Sequence, residues 1–204
     1  MNLPTKLTIL RIFLIPVFVA LFFIDFPYNR FVACAIFVIA CLTDWLDGYL
    51  ARKWNQVTDL GKFLDPIADK MLVACALIAI IPQMTPSAIF QVLVTIFAMV
   101  IMCRELMVSC FRILAASKKV VLAADWWGKA KTICQMLALI ILLPFENIVA
   151  YAPICDANAY NFFYVGFGLL AMATLLTIIS GFNYILKNKN VLKTEPSPEL
   201  NDCK

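Results

Sequence analysis

The chain has 204 residues, 63% of them hydrophobic, and a mean hydropathy of +0.89. Soluble domains are about 45–50% apolar, so a soluble domain is excluded in favour of one polytopic membrane bundle. The net charge is +4, from 17 Lys and Arg against 13 Asp and Glu, and there is no histidine. A His base or His metal ligand is therefore excluded, and acid–base chemistry falls to carboxylate, Lys or Tyr.

A membrane span needs about 20 mostly apolar residues. Six stretches qualify, over 8–24, 31–51, 66–82, 87–116, 130–150 and 160–186. They predict an all-α integral membrane protein, a six-helix bundle in one domain over 1–186. Asn2 to Lys6 is a short polar start expected to lie at the membrane interface, where Pro4 and Thr5 suit a helix N-terminus. The first span lacks a small-residue cleavage site after it and reads as a retained helix, not a signal peptide. No Arg- and Ser-rich transit segment precedes it, which favours a bacterial membrane over an organelle. Pro16 is expected to kink span one. Pro27, Pro82, Pro86, Pro144 and Pro153 fall near span ends. Asp125-Trp126-Trp127 precedes span five, and tryptophan prefers the interfacial belt. The tail 187–204, with Pro196 and Pro198 and dense charge, is expected to be disordered. No internal repeat supports an inverted-repeat transporter.

Of the Lys and Arg residues, Arg30 alone falls in a loop that would face outward; the rest lie at the N-terminus, around 52–70, at 104–131 and after 186. By the positive-inside rule both termini and the loop between spans two and three face the cytoplasm. The cations follow topology and form no single patch, so nucleic acid is not a partner. Eight cysteines are dispersed without a C-x-x-C pair and read as small buried hydrophobes.

Four aspartates stand where apolar segments should not keep them: Asp44, Asp47, Asp65 and Asp69. A carboxylate at the bilayer centre costs about 3 kcal/mol on insertion scales, and four together repel one another. Divalent metal offsets both costs. On a helix, Asp44, Asp47, Gly48 and Ala51 share one stripe; Gly61, Asp65 and Asp69 do the same on the next. Carboxylates without His or Cys make a hard-oxygen site suited to Mg²⁺ or Mn²⁺. For a single Asp, a helix cap or surface charge would be the ordinary explanation, and Asp59 is read that way.

The pattern resembles the CDP-alcohol phosphatidyltransferase signature, D-x-x-D-G-x-x-A-R-x8-G-x-x-x-D-x-x-x-D. Its fixed positions are met by Asp44, Asp47, Gly48, Ala51, Arg52, Gly61, Asp65 and Asp69. The resemblance implies a two-metal site, with two Mg²⁺ (or Mn²⁺) held by Asp44, Asp47, Asp65 and Asp69, and Asp69 also serving as general base. It implies that Gly48, Ala51, Arg52, Thr58 and Gly61, with Thr5 and Thr8, line the CDP-diacylglycerol site. It further implies a homodimer in the bacterial cytoplasmic membrane, with the active site facing the cytoplasm. Two metals about 4 Å apart can clamp a pyrophosphate, and Arg52 can grip phosphate oxygens as a fork.

The acceptor alcohol depends on a second region. Arg104 and Glu105 lie inside span four, with Ser109 and Arg112 beyond; Gly128, Lys129, Lys131, Thr132 and Gln135 open span five. Cations this deep normally face a cavity or a partner. Arg104–Glu105 as a structural pair, and Lys118, Lys119, Lys129 and Lys131 as helix-end anchors, are the plain alternatives. Cations beside an acidic site suit a phosphate-bearing alcohol held by Arg112, Lys129, Arg104 and Lys131. The runs N-x-P-T-x-L-T-x-x-R, R-E-x6-R and G-K-x-K-T-x-x-Q resemble the family branch that uses sn-glycerol 3-phosphate. Two alternatives stay open: another acceptor (inositol phosphate, serine or phosphatidylglycerol), and a divalent-cation transporter, whose path would need polar groups running across the membrane.

Overall fold

The computed structural model describes the backbone of residues 3–54, 59–83, 87–117, 126–151 and 157–187, and side chains within 8–44, 67–68, 70–83, 87–111, 128–151 and 160–184. Every element in these residues is helical: α1 (Leu3–Phe23), α2 (Asn29–Trp54), α3 (Asp59–Ala79), α4 (Ala88–Ser117), α5 (Trp126–Leu142), α6 (Phe145–Tyr151) and α7 (Ala157–Lys187). Among the described residues, three helical stretches are long and apolar enough to cross a membrane: Ala88–Phe111, Gly128–Tyr151 and Tyr160–Tyr184. Thr8–Phe23 and Lys70–Ala79 are apolar but shorter.

The burial pattern is that of a membrane protein. Phe13, Ile89, Ile133 and Phe182 are 62–72% exposed, whereas Thr8, Arg11, Lys131, Gln135, Thr177 and Ser180 are buried. Apolar side chains face outward, where lipid makes no demand for polar contact, and polar ones meet inside.

Three details refine the sequence reading. The polar start is continuous with the first span, because Leu3 to Lys6 forms the first turn of α1, and the helix runs on past Pro16. The fifth span breaks at Pro144 into α5 and α6. There Gln83 Nε2 donates to the Leu143 carbonyl at 3.1 Å, satisfying an acceptor near the break. Among the described cysteines, Cys103 and Cys110 are exposed on α4 and the other four are half-buried, all as free thiols. Cys103 and Cys110 can face outward because a thiol is apolar enough to face lipid. The expected tail beyond Lys187 lies outside the described residues.

α1 packs on α2 and α3, and α7 packs on α5 and α4; α2 touches α5 and α6, and α3 touches α4 more lightly. Aromatic rings fill the first group, with Phe18 5.9 Å from Phe37 between centroids. They also fill the second, where Phe90 meets Phe167 edge-on at 5.0 Å. At the start of α2, Arg30 pairs with Glu146 of α6 and lies 4.6 Å over the Phe22 ring. Tyr28, with φ of 63°, stacks on Tyr151 at 4.5 Å.

The α5–α7 seam depends on a small residue. A Cβ on Gly166 would come within 2.9 Å of Leu142 Cγ and 3.0 Å of Ile141 Cγ2. Small residues allow this approach between helices in lipid. Gly166→Leu is expected to destabilise the protein by about 1–3 kcal/mol through overpacking. It should appear as a lower thermal unfolding midpoint in detergent; an unchanged midpoint would contradict the close seam.

Candidate active site

The aspartate stripe is realised on continuous helices. Asp44, Asp47, Gly48, Ala51 and Arg52 fall within α2, while Gly61, Asp65 and Asp69 fall within α3. Asp59 is the first residue of α3, where an acid suits the positive end of the helix dipole. α2 touches α3, so the two stripes occupy neighbouring helices. The side chains of Asp47, Gly48, Ala51, Arg52, Gly61, Asp65, Asp69, Thr5 and Arg112, and the whole of Thr58, lie outside the described residues.

Asp44 carries the described part of the acidic site. Its carboxylate pairs with Arg11 of α1, Nη1 to Oδ1 at 2.5 Å, with Arg11 0% and Asp44 42% exposed at the side chain. Thr8, one helical turn before Arg11, is also buried. α1 therefore turns Thr8 and Arg11 toward α2 at the position of the first aspartate. Among the described residues no group of three or more Asp, Glu or Cys side chains is arranged to hold a metal. The donor chemistry fits a hard divalent ion: Asp44 is half-exposed, and its partners on the stripe are carboxylates.

A second polar cluster joins α3, α4 and α5. Lys70 Nζ donates to Glu105 Oε2 at 2.8 Å, Lys131 pairs with Glu105 Oε1, and Arg104 Nη1 lies 3.6 Å from the same oxygen. Arg104 Nη2 also donates to Ser180 Oγ of α7 at 2.6 Å. Its stem lies against Gly181, where a Cβ would sit 3.3 Å from Arg104 Cγ. Lys131 is 1% exposed. A cavity of about 90 Å³ opens here, with Lys70, Glu105, Lys131, Thr132 and Gln135 on its polar side and Leu77, Met102 and Met136 on its apolar side.

Two of the four expected acceptor cations, Arg104 and Lys131, are thus brought together around Glu105. Lys129 is exposed and stands apart from them. Arg112 lies two turns further along α4. Sequence reasoning missed Lys70 and gave Arg11 no role; it offered Glu105 as a stripe position or as a structural partner of Arg104, and the two do approach at 3.6 Å, but it missed the lysines that Glu105 also holds. The available signal was the same for Lys70 and Arg11: an ionisable residue inside an apolar segment.

The Arg11–Asp44 pair gives a stability test. Arg11→Gln removes the guanidinium beside Asp44. Because Asp44 is half-exposed, the loss is expected to stay near 1–3 kcal/mol, below that of a fully buried pair. Denaturation in detergent measures it, and Arg11→Lys should recover part. No loss in Arg11→Gln would show that the contact is dispensable.

Residues 1–179 match the family model described as CDP-alcohol phosphatidyltransferase. The chain is 40% identical over 194 residues to the CDP-diacylglycerol–glycerol-3-phosphate 3-phosphatidyltransferase of Haemophilus influenzae, covering 94% of this chain and 95% of that one. It is 40% identical over 187 residues to the protein of that name in Escherichia coli, covering 90% and 93%. The same name belongs to a Shigella flexneri relative, 39% identical over 186 residues with 90% and 93% covered.

Proposed function

The chain belongs to the CDP-alcohol phosphatidyltransferase family, and on that premise we propose that it transfers the phosphatidyl group of CDP-diacylglycerol to sn-glycerol 3-phosphate. The products are phosphatidylglycerophosphate and CMP, and the role is phospholipid biosynthesis. The observation that carries this reading is similarity over 90% or more of the chain to bacterial proteins so named; four aspartates on α2 and α3 and a cavity lined by Lys70 and Lys131 support it.

In this reading the acceptor hydroxyl oxygen bonds to the phosphorus that carries diacylglycerol. The bond from that phosphorus to the bridging oxygen breaks, and its electron pair leaves with CMP. Asp69 takes the hydroxyl proton, a role open to a carboxylate in a chain without histidine. Asp44, Asp47, Asp65 and Asp69 would hold two Mg²⁺ or Mn²⁺ ions, which supply charge stabilisation to the pyrophosphate and the leaving group. Arg11 orients Asp44 from behind. Gly48, Ala51, Arg52, Thr58 and Gly61, with Thr5 and Thr8, line the donor site. Arg112, Lys129, Arg104 and Lys131 receive the acceptor's phosphate.

The wider arrangement in this proposal is a domain over 1–186 with six spans in a bacterial inner membrane, as a homodimer with both termini cytoplasmic. The cation asymmetry supports the topology. A reporter fused after Lys204 that reads out on the far side would overturn it.

The decisive experiment supplies purified protein with CDP-diacylglycerol, Mg²⁺ and a panel of alcohols, and follows CMP release. Glycerol 3-phosphate should be the preferred acceptor, EDTA should abolish release, and alanine at each of the four aspartates should remove most turnover. Full activity in EDTA would reject the metal assignment; preference for serine or an inositol phosphate would reject the acceptor.

The cations give a separable prediction. Arg112→Gln and Lys129→Gln should raise KM for glycerol 3-phosphate more than KM for CDP-diacylglycerol. Arg112→Lys should also be poor, since an ammonium cannot replace a forked guanidinium. Equal losses for both substrates would assign these residues to the fold or the donor.

A further inference from the structure

The reading above gives roles to Lys131 and Arg104 but none to the two residues that hold the cavity together from α3 and α4. We infer that Lys70 is a further contact for the acceptor's phosphate, and that Glu105 is the positioning residue that holds Lys70 and Lys131 at the cavity wall. The inference rests on the acceptor being a phosphomonoester, as proposed above.

Glu105 divides its two oxygens between ammonium groups from different helices: Oε2 takes Lys70 of α3 at 2.8 Å, and Oε1 takes Lys131 of α5. All three residues line the cavity. An ammonium has three donors, so Lys70 and Lys131 can each serve more than one partner at the cavity wall. A lysine stem is flexible, and ordering it opposes binding. A tether made before the ligand arrives removes that cost from the binding step. Lys131 is 1% exposed, and a buried ammonium stripped of its carboxylate is strongly disfavoured; Glu105 therefore allows a cation to stand there at all. With Arg104 close to Oε1, three described cations gather round one carboxylate, a balance that favours an incoming dianion. Lys70 also follows Asp69 directly, so this contact ties the end of the aspartate motif to the cavity.

A purely structural role would glue α3, α4 and α5 without distinguishing substrates. Steady-state kinetics in mixed micelles with Mg²⁺, varying each substrate in turn, separates the two. Lys70→Gln and Glu105→Gln are each expected to raise KM for glycerol 3-phosphate about tenfold, with KM for CDP-diacylglycerol held within about twofold. The double variant should fall clearly short of the product of the two singles, because part of the effect of Glu105 runs through Lys70. Glu105→Asp, which keeps the charge, should recover part of the loss. Should Glu105→Gln give no folded protein, Lys70→Gln read with Glu105→Asp decides. An unchanged acceptor KM, equal losses for both substrates, or fully multiplicative losses in the double variant would overturn the inference while wild-type activity stands. A wild-type protein that releases no CMP with glycerol 3-phosphate would instead overturn the acceptor reading, and this inference with it.

Discussion

A charge placed within an apolar helix bundle needs a partner on another helix, and this requirement orders one end of the protein. Arg11 reaches from α1 to Asp44 on α2. Glu105 of α4 draws in Lys70 from α3 and Lys131 from α5, and Arg104 continues the chain of contacts to Ser180 of α7. Every long helix contributes to one of these two groups. Hydrocarbon contact alone gives little preference for one helix rotation over another when the surroundings are equally apolar. Buried ionic contacts supply that preference, because a wrong rotation would strand a charge.

The remaining packing is built around this polar end. Phe18 and Phe37 fill the space between α1 and α2, and Gly166 lets α7 settle against Leu142 of α5. At the opposite end of α2 the Arg30–Glu146 pair and the Tyr28–Tyr151 stack hold α2 to α6. The two ion pairs of α2 are thus well separated: Asp44 lies about 21 Å along the helix from Arg30 at about 1.5 Å per residue.

Local features were the legible ones. Span four, expected at 87–116, is α4 at Ala88–Ser117, because a run of thirty mostly apolar residues without Gly or Pro leaves little choice. The aspartate stripe was readable because spacing within one helix determines which residues share a face. Lys70–Glu105 was not, since it joins residues 35 apart in the chain and depends on which faces of α3 and α4 meet. Pro144 was legible as a proline near a span end, but hydropathy carried the fifth span on to residue 150, so the short separate helix α6 after it was not. Glu146 escaped notice because its partner Arg30 stands on another helix.

The unequal helix lengths bear on where in the bilayer the two reactants meet. α4 and α7 have 30 and 31 residues and α5 has 17, or about 45 Å against about 26 Å of rise. The hydrocarbon layer is about 30 Å thick. Under the proposed topology Ala88 and Trp126 stand at opposite boundaries, with Arg104 about 24 Å along α4 from one and Lys131 about 8 Å along α5 from the other. On that topology both measures bring the cavity to the same shallow depth, at the base of one headgroup layer. A lipid whose acyl chains remain in hydrocarbon presents its phosphates at that level, and a small water-soluble anion can reach it without crossing the membrane. Depth alone thus reconciles an amphiphile with a polar solute, and neither has to leave its own phase.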